Sequence, residues 1–192
     1  MTYPTPRSSR CLAFRRRKRR AHGIARRAAE RSVTNAVAIQ PDGRFVYVLD
    51  RDGDPAVIDT ASQERTFPFG GQLSVERIAF TPDGQLAYMI RDADTQIFVI
   101  DVATSQLVNS LEASGLTTDL AVTPDGRFVY VAQRTRHQLS VIETGTTMFP
   151  THPVSWSGTA DGIAMMPDGL TAYVSDRQSR AIQVIPVQPQ TA

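Results

Sequence analysis

The sequence predicts an all-β chain built from four copies of one repeated unit. Pro-Asp-Gly occurs at 41–43, 82–84, 124–126 and 167–169, so successive copies lie 41 to 43 residues apart. Each of these prolines follows an alanine by three residues and precedes a tyrosine by six: Ala38, Ala79, Ala121 and Ala164, and Tyr47, Tyr88, Tyr130 and Tyr173. Self-similarity at a fixed period of about 20–50 residues is the signature of a repeat architecture.

The residues before each Pro-Asp-Gly predict the first strand of the unit. They form short apolar runs that end at the turn, namely 37–39, 78–80, 120–122 and 163–165. Near-continuous apolar character indicates a strand that is buried on both faces. In the turn, proline presets the first central position, aspartate can bond to the backbone and glycine supplies a positive φ. We expect the recurring alanine to let neighbouring units approach closely.

The residues after each turn predict the other strands. The second strand alternates in character, as in 128–131, and a polar loop separates it from a third strand that ends at a Val-Ile pair. A weaker fourth strand is predicted near 66–69, 107–111 and 148–154, and the last copy has little room for one. We expect the tyrosines to pack between units with their hydroxyls at a polar edge.

Four antiparallel strands in every 40–45 residues or so are the blade of a β-propeller. The predicted fold class is therefore all-β, with four four-stranded antiparallel blades in a partial or small propeller and a disordered basic N-terminal arm. We predict the propeller repeats over 33–192. The blades are expected at about 33–70, 71–113, 114–156 and 157–192.

The formal net charge of +2 combines two opposite populations. Residues 1–32 contain eleven basic side chains and one acidic side chain, Glu30, whereas the remainder contains ten basic and eighteen acidic ones. The first 32 residues therefore carry +10 and the rest carries −8. Residues 1–32 contain few apolar side chains, so they cannot bury enough apolar surface to offset the loss of conformational entropy on folding. They are therefore predicted to form a disordered arm.

The arm allows several interpretations. Its basic run could bind nucleic acid through phosphate contacts, or anionic lipid headgroups, or it could be a solvated tail. The run consists of Arg15, Arg16, Arg17, Lys18, Arg19 and Arg20. The arm could also be translated sequence upstream of the true start. No apolar core follows the paired arginines, so the chain as written is expected to stay in the cytoplasm, and to be exported if the true N-terminus differs.

The repeat resembles a known family. The segments LAVTPDGRFVYVAQ…LSVIET and RIAFTPDGQLAYMI…IFVIDVAT resemble the YVTN-type β-propeller repeat of bacterial and archaeal surface proteins, which is similar to the propellers of the lactonase superfamily. The likeness covers about 33–186. Where the family has Tyr-Val-Thr-Asn, this chain has 47–50 YVLD, 88–91 YMIR, 130–133 YVAQ and 173–176 YVSD. The resemblance implies polar groups converging on a ring centre, and no catalytic residue is carried over.

Four copies are fewer than the seven blades that the resemblance implies. An unclosed array exposes packing faces and strand edges on its first and last blades. Three arrangements remain open: a piece of a longer protein, two copies closing one eight-bladed ring, or four blades closing alone. We expect a fragment or partial ring that self-associates.

Charged residues mark the loop between the second and third strands of each copy. This loop lies at the blade end opposite Pro-Asp-Gly. The candidate rim consists of Asp50, Arg51, Arg91, Asp92, Arg134, His137, Asp176 and Arg177. These loops are richer in acidic residues in the first two copies and richer in basic residues in the last two. A rim with opposite charges on its two halves favours binding of a charged ligand or a partner protein. The alternative is salt bridges between neighbouring loops, or solvated turns.

Signals for metal, cofactor and nucleophile chemistry are missing from the sequence. Asp50 begins a run like a calcium loop, but Pro55 and Ala61 stand where an EF-hand needs glycine and glutamate. The three histidines lack metal-ligand spacing, and Cys11 is the single cysteine. Neither a Gly-x-Ser-x-Gly elbow nor a phosphate-binding glycine loop occurs. We therefore expect no metal, no cofactor and no catalytic residue.

These observations lead to one functional expectation and two alternatives. We expect a non-enzymatic propeller module that binds a protein or a small charged ligand, either as a whole protein or as a truncated piece of a larger propeller. The alternatives are a lactonase-like hydrolase fragment and a nucleic-acid-associated protein that acts through the arm. No run of about 18 apolar residues is present, so no membrane span is expected.

Overall fold

Fifteen strands form four antiparallel sheets in the part of the chain that the computed structural model describes, which is 34–50, 53–70, 73–135, 138–146, 154–155 and 158–187. These residues belong to one of the two units into which the chain divides, Arg31–Ala192. The first sheet contains β1 (Thr34–Ile39), β2 (Phe45–Asp50), β3 (Ala56–Asp59) and β4 (Arg65–Thr66). The second contains β5 (Arg77–Phe80), β6 (Leu86–Ile90), β7 (Gln96–Asp101) and β8 (Gln106–Glu112).

The other two sheets repeat this order. The third contains β9 (Thr117–Val122), β10 (Phe128–Gln133), β11 (Gln138–Glu143) and β12 (Val154–Ser155). The fourth contains β13 (Ala160–Met165), β14 (Thr171–Asp176) and β15 (Ala181–Pro186). Strands pair in chain order within every sheet, and the first strands of successive sheets lie beside one another. The all-β fold of propeller-type sheets is therefore confirmed, with three strands described in the last sheet.

Some predictions fall on residues that the structure does not describe. The basic arm at 1–32, with Arg15–Arg20, is one of them, and most of the fourth strand predicted at 148–154 is another. The domain and blade boundaries stay predictions. Among the residues that are described, no helix has the length and apolar character that crossing a membrane requires.

The Pro-Asp-Gly turns need glycine for its conformation and, in two copies, for its size. Gly126 has φ of 73°, a conformation that L side chains rarely adopt. A Cβ at Gly126 would lie 3.2 Å from Cδ of Pro82, the proline of the preceding turn. The turn is closed by Asp125, whose Oδ1 accepts from the backbone N–H of Arg127 at 3.0 Å. Successive turns therefore stack closely at one end of the sheets.

Successive sheets pack face to face through three apolar clusters. We call the face of a sheet that contacts the preceding sheet its leading face, and the opposite face its trailing face. At the first interface, Tyr47 and Leu49 of the first sheet pack with Met89 and Ile100 of the second. The next two interfaces pair Tyr88 and Ile97 with Leu120 and Val131, and Tyr130 and Leu139 with Ile163 and Val174. Each cluster thus joins the trailing face of one sheet to the leading face of the next.

The exposed fraction of each recurring tyrosine depends on whether another described sheet packs onto it. Tyr47, Tyr88 and Tyr130 are at most 2% exposed, whereas Tyr173 in the last sheet is 40% exposed. The hydroxyl of Tyr88 accepts weakly from the backbone N–H of Gly145 at 3.4 Å, at a turn of the following sheet. The tyrosines are therefore packing groups between sheets, and the fourth is exposed because no described sheet follows it.

Replacing Tyr130 with alanine should lower the free energy of unfolding by about 3–5 kcal/mol, because a large side chain leaves a fully buried interface. Phe67→Ala is the matched control, since Phe67 is half exposed and contacts Arg65 on the surface. The control should lose about 1 kcal/mol or less. Urea unfolding followed by circular dichroism measures both values. Equal losses in the two variants would contradict the assignment of Tyr130 to the sheet interface.

Two turn aspartates should make the fold sensitive to acid. The Thr81 hydroxyl, 2.5 Å from Asp83, and the backbone N–H of Gln85 hold the pKa of Asp83 below its usual range. Thr123 and Arg127 do the same for the pKa of Asp125. Because the folded-state pKa is lowered, this stabilisation is present above the ordinary aspartate pKa of about 3.9 and is lost as the pH falls through the lowered value.

The Asp83→Asn and Asp125→Asn double variant should therefore lose less stability than the wild type between about pH 5 and pH 2. Asp168→Asn is the control, because Met166 replaces the threonine in that turn and offers no hydroxyl. Urea midpoints measured across this range test the expectation. A double variant with the acid slope of the wild type would show that these turns do not carry the effect.

Candidate functional site

The candidate loops and the starts of the first strands lie at the same end of the sheets. This follows from the antiparallel register, in which Ala36 pairs with Leu49 and Asp119 pairs with Ala132. The end of the second strand, which leads into the candidate loop, is therefore beside the start of the first strand. We call this side of the molecule the loop end. The Pro-Asp-Gly turns occupy the other side.

Two of the predicted rim residues, Arg91 and Asp176, contact groups of their own surroundings. Arg91 contacts Asp94 in its own loop at 3.1 Å, and its Nε donates to the carbonyl oxygen of Ser74 at 3.0 Å. Asp176 is buried and accepts from the Ser179 hydroxyl at 2.6 Å. That hydroxyl is the main cause of the lowered pKa of Asp176. Asp50 ends β2 and is half-buried.

Asp161, which was not among the predicted rim residues, lies between Arg134 and Arg177, and Arg134 also contacts Asp92. Arg134 Nη2 lies 3.3 Å from Asp92 Oδ1 and 3.8 Å from Asp161 Oδ1, and Arg177 Nη1 lies 4.0 Å from the same Asp161 oxygen. These side chains are partly exposed, so each pair contributes about 0–1 kcal/mol. Bridges between neighbouring loops are thus present. Ligand binding by the rim stays a prediction, and Arg51 and His137 lie outside the described residues.

A second group of polar residues stands at the starts of the first strands. It is formed by Asn35, Glu76, Arg77, Asp119 and Asp161, and we call it the inner polar row. Asn35 Nδ2 donates to Glu76 Oε2 at 2.9 Å, which joins the first strand to the start of the second sheet. Arg77 Nε lies 4.0 Å from Asp119 Oδ1, which joins the second sheet to the third. The row therefore crosses successive sheet interfaces at the loop end.

Asp119 is a largely enclosed carboxylate of the row, and its pKa is shifted. Its side chain is 24% exposed. The backbone N–H groups of Leu120 and Ile163 donate to its two oxygens at 2.9 and 3.0 Å. Burial raises the pKa of Asp119 and outweighs the lowering by these donors and by Arg77, and the nearby charge of Asp161 raises it further.

Gly162 leaves the space that Asp119 occupies. A Cβ at this position would lie 3.4 Å from Asp119 Oδ2 and 3.2 Å from the Ser175 hydroxyl. The contact with the Ser175 hydroxyl is tighter than a Cβ normally makes, whereas the distance to the carboxylate is at the edge of ordinary van der Waals contact. The fourth sheet thus contributes a backbone donor from Ile163 and a small residue beside it.

The sequence contained a signal for this row. Polar residues stand two or three positions before the recurring alanine, at the beginning of otherwise apolar strands. Because the first strands were predicted to be apolar and buried on both faces, polar functional residues were expected only in the loops. The polar residues at the strand starts were therefore not selected. In the described ranges no group of three or more histidine, cysteine or acidic side chains is placed to hold a metal ion.

Comparison with known proteins adds to this geometry. The family model described as lactonase, 7-bladed beta-propeller, matches residues 76–192, which is more than half of the chain. No curated protein matches the sequence significantly. Hydrazine synthase of Kuenenia stuttgartiensis is a similar solved structure, with a TM-score of 0.65, 20% identity, and coverage of 85% of this chain and 49% of that one.

A second solved structure is a "putative 6-phosphogluconolactonase" of Bacteroides fragilis, with a TM-score of 0.64, 17% identity, and coverage of 82% of this chain and 51% of that one. The chain thus spans about half the length of each. At these identities the two structures show the fold alone, and their different names illustrate that one fold carries several functions.

The family match corrects one expectation of the sequence analysis. We expected a module without enzymatic activity and no catalytic residue, and the match to a family of lactonases, which are hydrolases, shows that the first expectation is wrong. The absence of nucleophile and metal motifs does not exclude a hydrolase, because positioned acids, bases and cations can hydrolyse an activated ester. On the evidence of the family match and the four propeller-type sheets, the chain belongs to the family of lactonases with a seven-bladed β-propeller fold.

Proposed function

We propose that the chain is part of a lactonase-type hydrolase that opens a sugar lactone at the inner polar row. Family membership supports the reaction class. The name of the Bacteroides fragilis neighbour supports a sugar lactone as the substrate class. We also assign the four copies to the YVTN type, because each retains the tyrosine six residues after its proline, followed by valine or methionine.

The observation that carries the proposal is the enclosed Asp119 carboxylate beside Arg77. A carboxylate with a raised pKa is a stronger base than an ordinary aspartate, which suits it to remove a proton from water. Its neighbour Arg77 is a permanent positive charge on the adjoining sheet, and Arg77 Nε is 4.0 Å from Asp119 Oδ1. A base and a cation are thus placed side by side at the loop end.

These two groups account for the steps of lactone hydrolysis. Asp119 takes a proton from water, and the resulting hydroxide forms a bond to the lactone carbonyl carbon. The negative charge that develops on the carbonyl oxygen is stabilised by Arg77. The bond between that carbon and the ring oxygen then breaks, and the proton held by Asp119 passes to the ring oxygen as the hydroxy acid forms.

Asp119→Asn should reduce kcat/KM for δ-gluconolactone or its 6-phosphate by about 10²–10⁴-fold, because the amide cannot accept the proton. Asp125→Asn, at the opposite end of the same sheet, should keep the wild-type rate. Proton release above spontaneous hydrolysis measures both. Wild-type protein without activity on either lactone, or an Asp119→Asn variant at full rate, would overturn the proposal.

The acid limb of the pH profile should also report on Asp119. The base works only when deprotonated, so kcat/KM falls as the pH drops through a pKa that lies above the usual aspartate value of about 3.9. Arg77 lowers this pKa, so the Arg77→Gln variant should move the acid limb to higher pH as well as slow the reaction. An acid limb at the same pH in both proteins would show that another group titrates.

A further inference from the structure

Asp161 is the extra residue of a β-bulge at the start of the fourth sheet. β13 pairs with β14 through Ala160 and Gly162, and Asp161 between them has no pairing residue on β14. Bulges are common next to active sites, where they change the direction of a side chain. The Asp161 side chain is 47% exposed and reaches the arginines of the loop end.

The third sheet has a bulge at the same place, and its extra residue is Thr118. The Thr118 side chain is buried, and its hydroxyl donates to the carbonyl oxygen of Ala160 at 3.0 Å. The backbone N–H of Ile163 donates to Asp119 Oδ2 at 3.0 Å. The backbone is thus bonded to Thr118 and Asp119 on both sides of Asp161.

Two guanidinium groups approach the carboxylate of Asp161. Arg134 Nη2 lies 3.8 Å from Asp161 Oδ1, and Arg177 Nη1 lies 4.0 Å from the same oxygen. Arg134 follows β10 of the third sheet and Arg177 follows β14 of the fourth. The contact of Arg134 with Asp161 therefore crosses the same sheet interface as the hydrogen bond from Ile163 to Asp119.

We propose that Asp161 is a positioning residue for Asp119, and that Arg134 acts on Asp119 through Asp161. The bulge brings the Asp161 carboxylate to the arginines of the loop end, while the backbone on either side of it is bonded to Thr118 and Asp119. The role in catalysis rests on the proposed lactonase function, in which Asp119 is the base. The coupling between the two side chains does not depend on that function.

The charges around Asp119 determine the sign of this coupling. Arg77 approaches from β5 and lowers the pKa of Asp119, whereas Asp161 approaches from β13 and raises it. Glu76, the neighbour of Arg77, is bonded to the first sheet. The positive charge of Arg134 partly neutralises Asp161, so loss of Arg134 should strengthen the effect of Asp161 on Asp119.

A ¹³C NMR titration of the aspartate carboxyl groups in the 192-residue chain tests the proposal without an activity assay. The Asp119 resonance is the one that is missing from Asp119→Asn. Asp161→Asn should lower the pKa of Asp119 by about half a pH unit, because one nearby negative charge is lost in partly exposed surroundings. Arg134→Gln should raise this pKa. The double variant should match Asp161→Asn alone, because Arg134 then has no carboxylate through which to act.

Two further variants are the controls. Arg134→Lys keeps the positive charge and should leave the pKa of Asp119 close to the wild-type value. Asp94→Asn removes another carboxylate of the loop end, one that contacts Arg91 in its own loop, and should also leave that pKa unchanged. The replaced side chains are all partly exposed, so every variant should keep the wild-type circular dichroism spectrum.

An unchanged pKa of Asp119 in Asp161→Asn would overturn the proposal. So would a shift in either control, or a shift caused by Arg134→Gln when Asp161→Asn is already present. The acid limb of kcat/KM for δ-gluconolactone should move in the same directions as the resonance, and an acid limb that stays in place would overturn the role in catalysis. If the resonance moves as expected and no lactone is hydrolysed, the proposed lactonase function fails and the coupling stands.

Discussion

Face-to-face packing between successive sheets is the interaction on which the structure depends. A sheet of three or four short strands that is apolar on both faces cannot be stable alone, because one or both faces would remain in water. The recurring tyrosine, the alternating apolar residues of the second strand and the Val-Ile pair of the third supply the buried surface at each interface. The Pro-Asp-Gly turns keep the sheets in register, since Gly126 allows the turn to contact Pro82 of the preceding copy.

The same packing creates the site. When sheets stack face to face around an axis, their first strands become neighbours, and whatever stands at the strand starts is brought together. Here those positions carry Glu76, Arg77 and Asp119 rather than apolar residues, and their contacts cross from sheet to sheet. Asp119 is therefore enclosed at a sheet interface, because Ile163 and Gly162 belong to the next sheet. Burial raises the pKa of Asp119, although the N–H of Ile163 that donates to it acts in the opposite direction.

The period and the turn chemistry were enough to predict the fold, because a repeated turn at fixed spacing leaves few ways to arrange the strands. The site was harder to predict. Charge in the loops predicts a binding rim, and binding there stays a prediction. The contacts of Asp176 with Ser179 and of Arg91 with Asp94 depend on loop geometry that residue types do not reveal. Asp119 was overlooked because its partners, Arg77 and Ile163, are each more than 40 residues away in sequence and become neighbours only through stacking.

Packing and the inner polar row are therefore linked along the stack. A further sheet of this repeat on the trailing face of the last sheet would present a leading face, and in the three described interfaces a leading face carries a first strand with it. Covering Ile182 and Val184 thus also brings another strand start to the axis beside Asp161. Further sheets of the same repeat would meet this condition.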